Sequence, residues 1–328
     1  MPMKTQKTFV VALGGNSILK ATEKGTIEEQ YSNLRETTEQ LSELLVSENR
    51  IVITHGNGPQ VGNLLLATES ASDIVPSMPL DICGAATQGF MGYMIQNTVA
   101  NHLREIGLKH NITTVVTEVI VDKDDPAFRN PTKPIGPFYD LNEAQRLRRE
   151  KGWVMIEDST RGYRRVVPSP KPVGIQQARI IRSMLDAGEI VIAVGGGGIP
   201  VVRGTDRSLH AVEAVIDKDY ASGRLAIEID ADILLILTAV EKVYRDFGLC
   251  SQKALDNLKL GEAKELLAQG QFGAGSMEPK IGAAIEFLEQ TSESTQPPFC
   301  PREREVIITL PRTARAALQG QTGTRIIR

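Results

Sequence analysis

The stretch "EIVIAVGGGGIPVV" (189–202) runs a β-branched segment, 189–194, into four consecutive glycines, Gly195 to Gly198. The segment reads as a buried strand. Glycines are costly to order and bring no side chain to a core, so four together mark a backbone that must approach something closely. The same order recurs upstream. "KTFVVAL" (7–13) leads into Gly14, Gly15 and Asn16, and "RIVITH" (50–55) leads into Gly56, Asn57 and Gly58, where Pro59 suits a first helical turn. Strands that end in glycine turns and open into helices build a parallel α/β sheet, and such sheets bind ligands beyond the carboxyl ends of their strands.

Outward from these turns, short apolar runs alternate with helical patterns. Helices are predicted over 27–48, 82–101 and 174–187 and from about 218 and 279. Further strands are predicted over 112–121, 231–240, 305–309 and at the terminal "TRIIR". Uncharged, β-branched strands need cover on both faces, which implies a mostly parallel sheet between helical layers. The segment 82–101 has no formal charge over 20 positions, long enough to cross a bilayer. Thr87, Gln88, Gln96, Asn97, Thr98 and Asn101 make it too polar for that. It reads instead as a buried helix packed closely through Gly84, Ala85, Ala86, Gly89 and Gly92, in the core or at a subunit interface. Residues 122–172 break the rhythm with proline and charge, and read as an inserted lid subdomain carrying a small helix and a hairpin.

Composition narrows the function classes. Of 328 residues, 41% are hydrophobic and 23% charged, as in an ordinary globular protein. A net charge of −3 offers no electrostatic footprint for nucleic acid. Cys83, Cys250 and Cys300 are odd in number and widely spaced, so neither a disulfide framework nor a zinc site is expected. The four histidines form no metalloprotease pattern. The N-terminus lacks a signal-peptide pattern, and a cytoplasmic location is expected, with no membrane partner.

Three glycine turns at corresponding strand ends suggest an anion site lined by backbone N–H groups and helix N-termini. No Walker-A loop is present. "GNGPQVG" (56–62) is one residue too long for a dinucleotide fingerprint, and no acidic residue follows at the distance a ribose needs. The lysines are more telling. With Asp217 as N-cap, Lys218 falls in a first helical turn, where the dipole disfavours a cation. Lys280, after Pro279, is placed likewise. Either alone reads equally as a solvated surface lysine; together, beside glycine-rich ends, they suggest a shared polyanion. Lys133 lies in the proposed lid, with prolines close on both sides. Asp219 has two readings: it orients the lysines or faces a phosphate-bound Mg²⁺, or it merely supplies favourable charge at a helix start. Several lysines, backbone donors and one carboxylate point to phosphoryl transfer, which needs positioning and charge stabilisation more than covalent chemistry. Ser17, Ser276 and the cysteines lack a histidine partner and read as structural or hydrogen-bonding.

At these residues the chain resembles the carbamate kinases of the amino-acid kinase superfamily. The resemblance is carried in order by "VVALGGN" (10–16), "HGNGPQVGNLLL" (55–66), "NPTKPIGPF" (130–138), "RRVVPSPKP" (164–172), "GGGGIPVV" (195–202), "EAVIDKDYAS" (213–222), "LLILTAVEKVY" (234–244) and "GSMEPKI" (275–281). It implies an α/β/α sandwich around a mainly parallel, eight-stranded sheet, a single domain over 1–328 with the lid inserted, and a homodimer. It implies reversible transfer between carbamoyl phosphate and ADP, giving ATP and carbamate, with Mg²⁺ held largely by phosphates. Lys133, Lys218 and Lys280 match the transfer lysines. Gly14, Gly15, Asn16, Gly56, Asn57 and Gly58 match the phosphate donors, and Gly196, Gly197 and Gly198 are expected to floor the carbamoyl-phosphate pocket. The nucleotide is expected on the C-terminal side, about 205–328, near Thr238, Ala239, Val240, Tyr244, Met277 and Pro279. Another acid or nucleoside-monophosphate kinase of this fold remains the alternative, as does a non-catalytic sensor. Lys133 and its proline-rich surroundings speak against the former, and the presence of all three lysines against the latter. The pathway stays open among arginine fermentation, allantoin breakdown and creatinine breakdown.

Overall fold

The computed structural model of the chain describes residues 6–20, 22–157, 161–290 and 303–328. It opens with β1 (Thr8–Leu13), α1 (Ile27–Gln40), α2 (Ser42–Leu45), β2 (Arg50–His55), α3 (Gly58–Ser70), α4 (Leu80–Glu105), β3 (Ile112–Thr114) and β4 (Glu118–Val121). β5 (Lys133–Tyr139), α5 (Leu141–Lys151), β6 (Met155–Glu157), β7 (Tyr163–Val167), β8 (Pro172–Ile175), α6 (Ala178–Asp186), β9 (Ile190–Ile192), β10 (Ile199–Arg203) and β11 (Leu209–Ala211) follow. The C-terminal part holds α7 (Lys218–Glu228), β12 (Ile233–Leu237), β13 (Val243–Arg245), β14 (Lys253–Leu255), β15 (Asn257–Lys259), α8 (Leu260–Ala268), α9 (Glu278–Glu289), β16 (Glu305–Thr309), α10 (Ala314–Leu318) and β17 (Thr324–Ile327).

Eight strands form one sheet in the order β15–β17–β16–β12–β1–β2–β9–β3, parallel throughout except between β16 and β17. Alternate side chains enter two cores, as the two-residue strand period requires. Val10 and Ala12 of β1, with Val52, Val191 and Leu234, pack against α6, α7 and α9. Phe9, Val11 and Leu13, with Ile51, Ile53 and Leu235, pack against α1 and α4. Burial on both faces is why these strands read as unbroken apolar runs, and it makes the expected three-layer sandwich. No helix among the described residues is long and apolar enough to cross a membrane.

Three smaller sheets accompany the main one among the described residues. β11–β10–β4–β8 form one, β13–β14 pair as a second, and the antiparallel β5–β7–β6, with α5 between β5 and β6, forms the third within the proline-rich stretch. Where β5 meets α3, a Cβ on Gly62 would sit 3.3 Å from Gly136 Cα, so the two backbones touch.

Several local expectations need correction. The strand expected over 112–121 is two strands in different sheets. Between them the side-chain amide of Gln88 takes over the role of a strand neighbour: Thr117 N–H donates to its Oε1, and its Nε2 donates to Thr117 O. The helix expected over 174–187 starts at Ala178, because 172–175 pairs with β4 instead. The helix from Ile27 breaks at Leu41, between α1 and α2. Of the α4 glycines only Gly92 is tightly packed, against Thr114; Cβ atoms at Gly84 and Gly89 would meet open space, and Ile82, Phe90 and Tyr93 are exposed.

Candidate active site

The carboxyl ends of β1, β2 and β9 lie side by side, and each runs into a glycine turn. Gly15–Ser17 make a single 3-10 turn after β1; Gly14 packs so closely on Leu237 O of β12 that a Cβ there would stand 2.2 Å away. The backbone of Asn16 lies in that turn, while its side chain falls outside the described set. After β2, Asn57 occupies the N-cap of α3 without capping it, and donates instead through Nδ2 to Thr87 Oγ1 at 2.7 Å. The aliphatic stem of Lys218 runs beside Gly56, 3.5 Å from where its Cβ would be.

The four-glycine run follows β9 as a tight turn. Gly196, Gly197 and Gly198 all have positive φ, of 65°, 92° and 83°, and Val194 before them also sits in the left-handed region at 54°. A β-branched residue there is strained. Its N–H is held by Thr117 Oγ1 at 3.0 Å. The glycines have a reason within the protein itself. Cβ atoms at Gly195, Gly196, Gly197 and Gly198 would strike His55 Nε2, the Asn57 amide, Ile216 O and Val119 Cγ2 respectively, at 2.2–2.5 Å. The protein itself leaves no room for side chains in this turn.

Lys218 and Lys280 do fall in first helical turns, and one carboxylate joins them. Asp219, 3% exposed at its side chain, accepts from Lys218 Nζ through Oδ1 at 2.6 Å and from Lys280 Nζ through Oδ2 at 3.0 Å. Burial pushes its pKa up, yet the two ammonium groups outweigh that and hold it at about 2. Asp219 therefore orients the lysines and offsets their unfavourable place on the helix dipoles. Lys280 also donates to Ser276 O at 2.8 Å. Lys133 reaches across from β5 to Asp217 Oδ2 at 2.7 Å. Three ammonium groups thus face two carboxylates.

Two buried features behind the lysines are not legible in local sequence. Thr54 of β2 donates to Ser222 Oγ at 2.6 Å, and Ser222 donates to the Lys218 carbonyl, pinning the first turn of α7 to the central sheet. His55 donates from Nδ1 to its neighbour Gly56 O at 3.0 Å, which turns an unprotonated Nε2 toward the Gly195 turn. Burial, with the Lys218 charge adding to it, brings its pKa down to about 4, so the ring is neutral at pH 7. Ser17 Oγ is buried and has no hydrogen-bond partner among the described residues.

The residues expected at the nucleotide sit on the far side of β1. Thr238 to Val240 continue from β12, and Thr238 N–H donates to Thr309 O. Tyr244 is on β13 with its ring 5.8 Å from that of Phe247. Met277 is the N-cap of α9 and makes no side-chain cap, and Pro279 is buried in that helix's first turn.

An α/β sandwich with such a lysine cluster at its strand ends has known relatives. The sequence model described as the amino acid kinase family matches residues 7–295, and the chain belongs to that family. Within it, the chain is 46% identical to a carbamate kinase of Pyrococcus furiosus over 98% of this chain and 99% of the relative. A carbamate kinase of Clostridium perfringens is 45% identical over the same shares. Among solved structures, a carbamate kinase from Giardia lamblia bound to AMP-PNP superposes with a TM-score of 0.89 at 40% identity, over 98% of this chain and 99% of that one. These likenesses put the chain with the carbamate kinases, which are phosphotransferases.

Proposed function

We propose that the chain transfers a phosphoryl group reversibly between carbamoyl phosphate and ADP, giving ATP and carbamate, at the Lys133–Lys218–Lys280 cluster. The observation that carries this reading is the convergence of the three ammonium groups, organised by Asp217 and Asp219, on the glycine-lined strand ends. Carbamoyl phosphate is a small dianion with a good leaving group. Its reaction with a diphosphate oxygen asks the protein for alignment and for positive charge where the transferring oxygens gather it. Lys218 and Lys280, fixed by Asp219, would serve the transferring phosphoryl group, and Lys133 would come down on it from the lid. The turn at Gly14, Gly15 and Asn16 and the uncapped start of α3 at Asn57 and Gly58 offer backbone N–H groups to the same anion. The turn at Gly196 to Gly198 would form the floor between them. The nucleotide would lie toward Thr238, Ala239, Val240, Tyr244, Met277 and Pro279.

Among the described residues, the site carboxylates make no cage for Mg²⁺. Both oxygens of Asp219 accept from lysines, those of Asp217 accept from Lys133 and from a backbone N–H, and no group of three or more His, Cys, Asp or Glu among the described residues is placed to hold a metal. Mg²⁺ would enter on the nucleotide phosphates and neutralise part of their charge. The exposed stripe of Ile82, Phe90 and Tyr93 on α4 suits a homodimer surface, and the setting is read as cytoplasmic.

A coupled assay tests the reaction. Purified protein with Mg²⁺, ADP and fresh carbamoyl phosphate is expected to form ATP. Absence of ATP, with acetylglutamate or a nucleoside monophosphate accepted from ATP instead, would move the chain to another kinase of this fold.

A further inference from the structure

Lys133 opens β5 and Asp217 caps α7, 84 residues apart in sequence, yet they meet at 2.7 Å. Asp217 is engaged three ways. Its Oδ2 takes the Lys133 ammonium. Its Oδ1 accepts the Asp219 N–H at 2.9 Å and so caps α7. The backbone just before it is wedged on the glycine turn, where Ile216 O stands 2.3 Å from a Cβ built on Gly197. The Asp217 side chain therefore connects β5 to the start of α7 with its two site residues, and the backbone beside it rests on the turn after β9.

We propose that Asp217 is a positioning residue for the transfer. It holds the Lys133 ammonium over the site and sets the register between the β5–β7–β6 unit and α7. This rests on reading the lysine cluster as the phosphoryl-transfer site. The prolines near Lys133 stiffen only its backbone, and a four-carbon stem still leaves the ammonium free to wander among rotamers. Asp217 removes that freedom without occupying the lysine. An ammonium has three N–H donors, so Lys133 keeps Asp217 with one and offers the others to a phosphate oxygen. The lysine's place is thus tied to the same carboxylate that fixes the helix carrying Lys218 and Asp219.

The test separates charge from capping. Asp217→Asn keeps an oxygen for the Asp219 N–H, since asparagine caps helices as well as aspartate, but it loses the charge that holds Lys133. Asp217→Ser also caps, and is too short to reach Lys133. Both variants are expected to melt within about 2 °C of the wild type. Both should lose roughly 10- to 100-fold in kcat/KM for carbamoyl phosphate, the scale of a misplaced site group. Asp217→Asn combined with Lys133→Ala should fall no further than Lys133→Ala alone, within about threefold, because Asp217 then has nothing to hold. Independently of turnover, hydrogen exchange should quicken across residues 133–139 in Asp217→Asn while α7 keeps its protection. Multiplicative losses in the double variant, or activity within about twofold of wild type with unchanged exchange, overturn the proposal. So does a melt lowered by more than about 5 °C in both variants, which makes Asp217 a folding residue. If the wild type forms no ATP, the reading of the reaction falls, and the exchange experiment still decides whether Asp217 holds β5.

Discussion

Asp219→Asn removes the one anion shared by two largely buried ammonium groups. Lys218 is 14% and Lys280 12% exposed at the side chain, so neither finds full solvation when the carboxylate goes. Two estimates bound the cost. The fall of the Asp219 pKa from its ordinary 3.8 to about 2 corresponds to about 2 kcal/mol, net of the penalty for burying the carboxylate. Breaking a buried pair by deleting one partner costs about 3–5 kcal/mol. An expected loss of about 2–5 kcal/mol lowers the melting temperature by about 3–7 °C, taking an unfolding entropy of roughly 2.1 cal/mol/K per residue over the chain. The sign with pH follows from the lowered pKa: the stabilisation is complete above about pH 4 and is lost as pH falls toward 2, and the variant should lack that part of the acid limb. Turnover should fall on the order of 10²-fold as both lysines lose their place. Removing Lys280 as well, in Asp219→Asn/Lys280→Met, should restore part of the stability, since one stranded cation is gone. Denaturant unfolding at pH 7.5 and the coupled ATP assay measure all of this. A variant within about 0.5 kcal/mol of wild type and with unaltered turnover would refute the organising role of Asp219.

The other expectations are briefer. Gly197→Ala should damage the fold itself, because φ is +92° and the new Cβ strikes Ile216 O, whereas Gly15→Ala meets nothing within 4 Å and should melt normally while losing activity; thermal melts beside kinetics would expose the reverse pattern. His55, held neutral with a pKa of about 4, favours the folded state above about pH 6.5 and withdraws roughly 3 kcal/mol as pH falls toward 4. His55→Gln should flatten that stretch of the stability curve, and an unchanged slope would mean the ring is not buried neutral.

Much of the main sheet is legible in sequence because two-sided burial writes each central strand as an apolar run. The runs at 112–121 and 172–175 mislead for a tertiary reason: Gln88 diverts one, and β4 recruits the other into a second sheet. Lys218 and Lys280 are legible because Asp217 and Pro279 mark the helix starts on which they sit. Asp219 stands open between two roles in sequence, and only the approach of α9 to α7 decides that it orients the lysines. The partnership of Asp217 with Lys133 leaves no local trace across 84 residues. For the glycine run, sequence reports a crowded backbone but not what crowds it. His55 and Asn57, Ile216, and Val119 come from three separate segments.

The most direct test is turnover in Lys218→Ala and Lys280→Ala, measured for ATP formation from carbamoyl phosphate and ADP alongside thermal melts. Each variant leaves Asp219 one lysine partner, so folding should hold. Each is expected to lose roughly 10²–10³-fold in kcat, the scale of removing one donor to a transition state. A loss below about tenfold in a folded variant would take that lysine out of the transfer and contradict the site assigned to it.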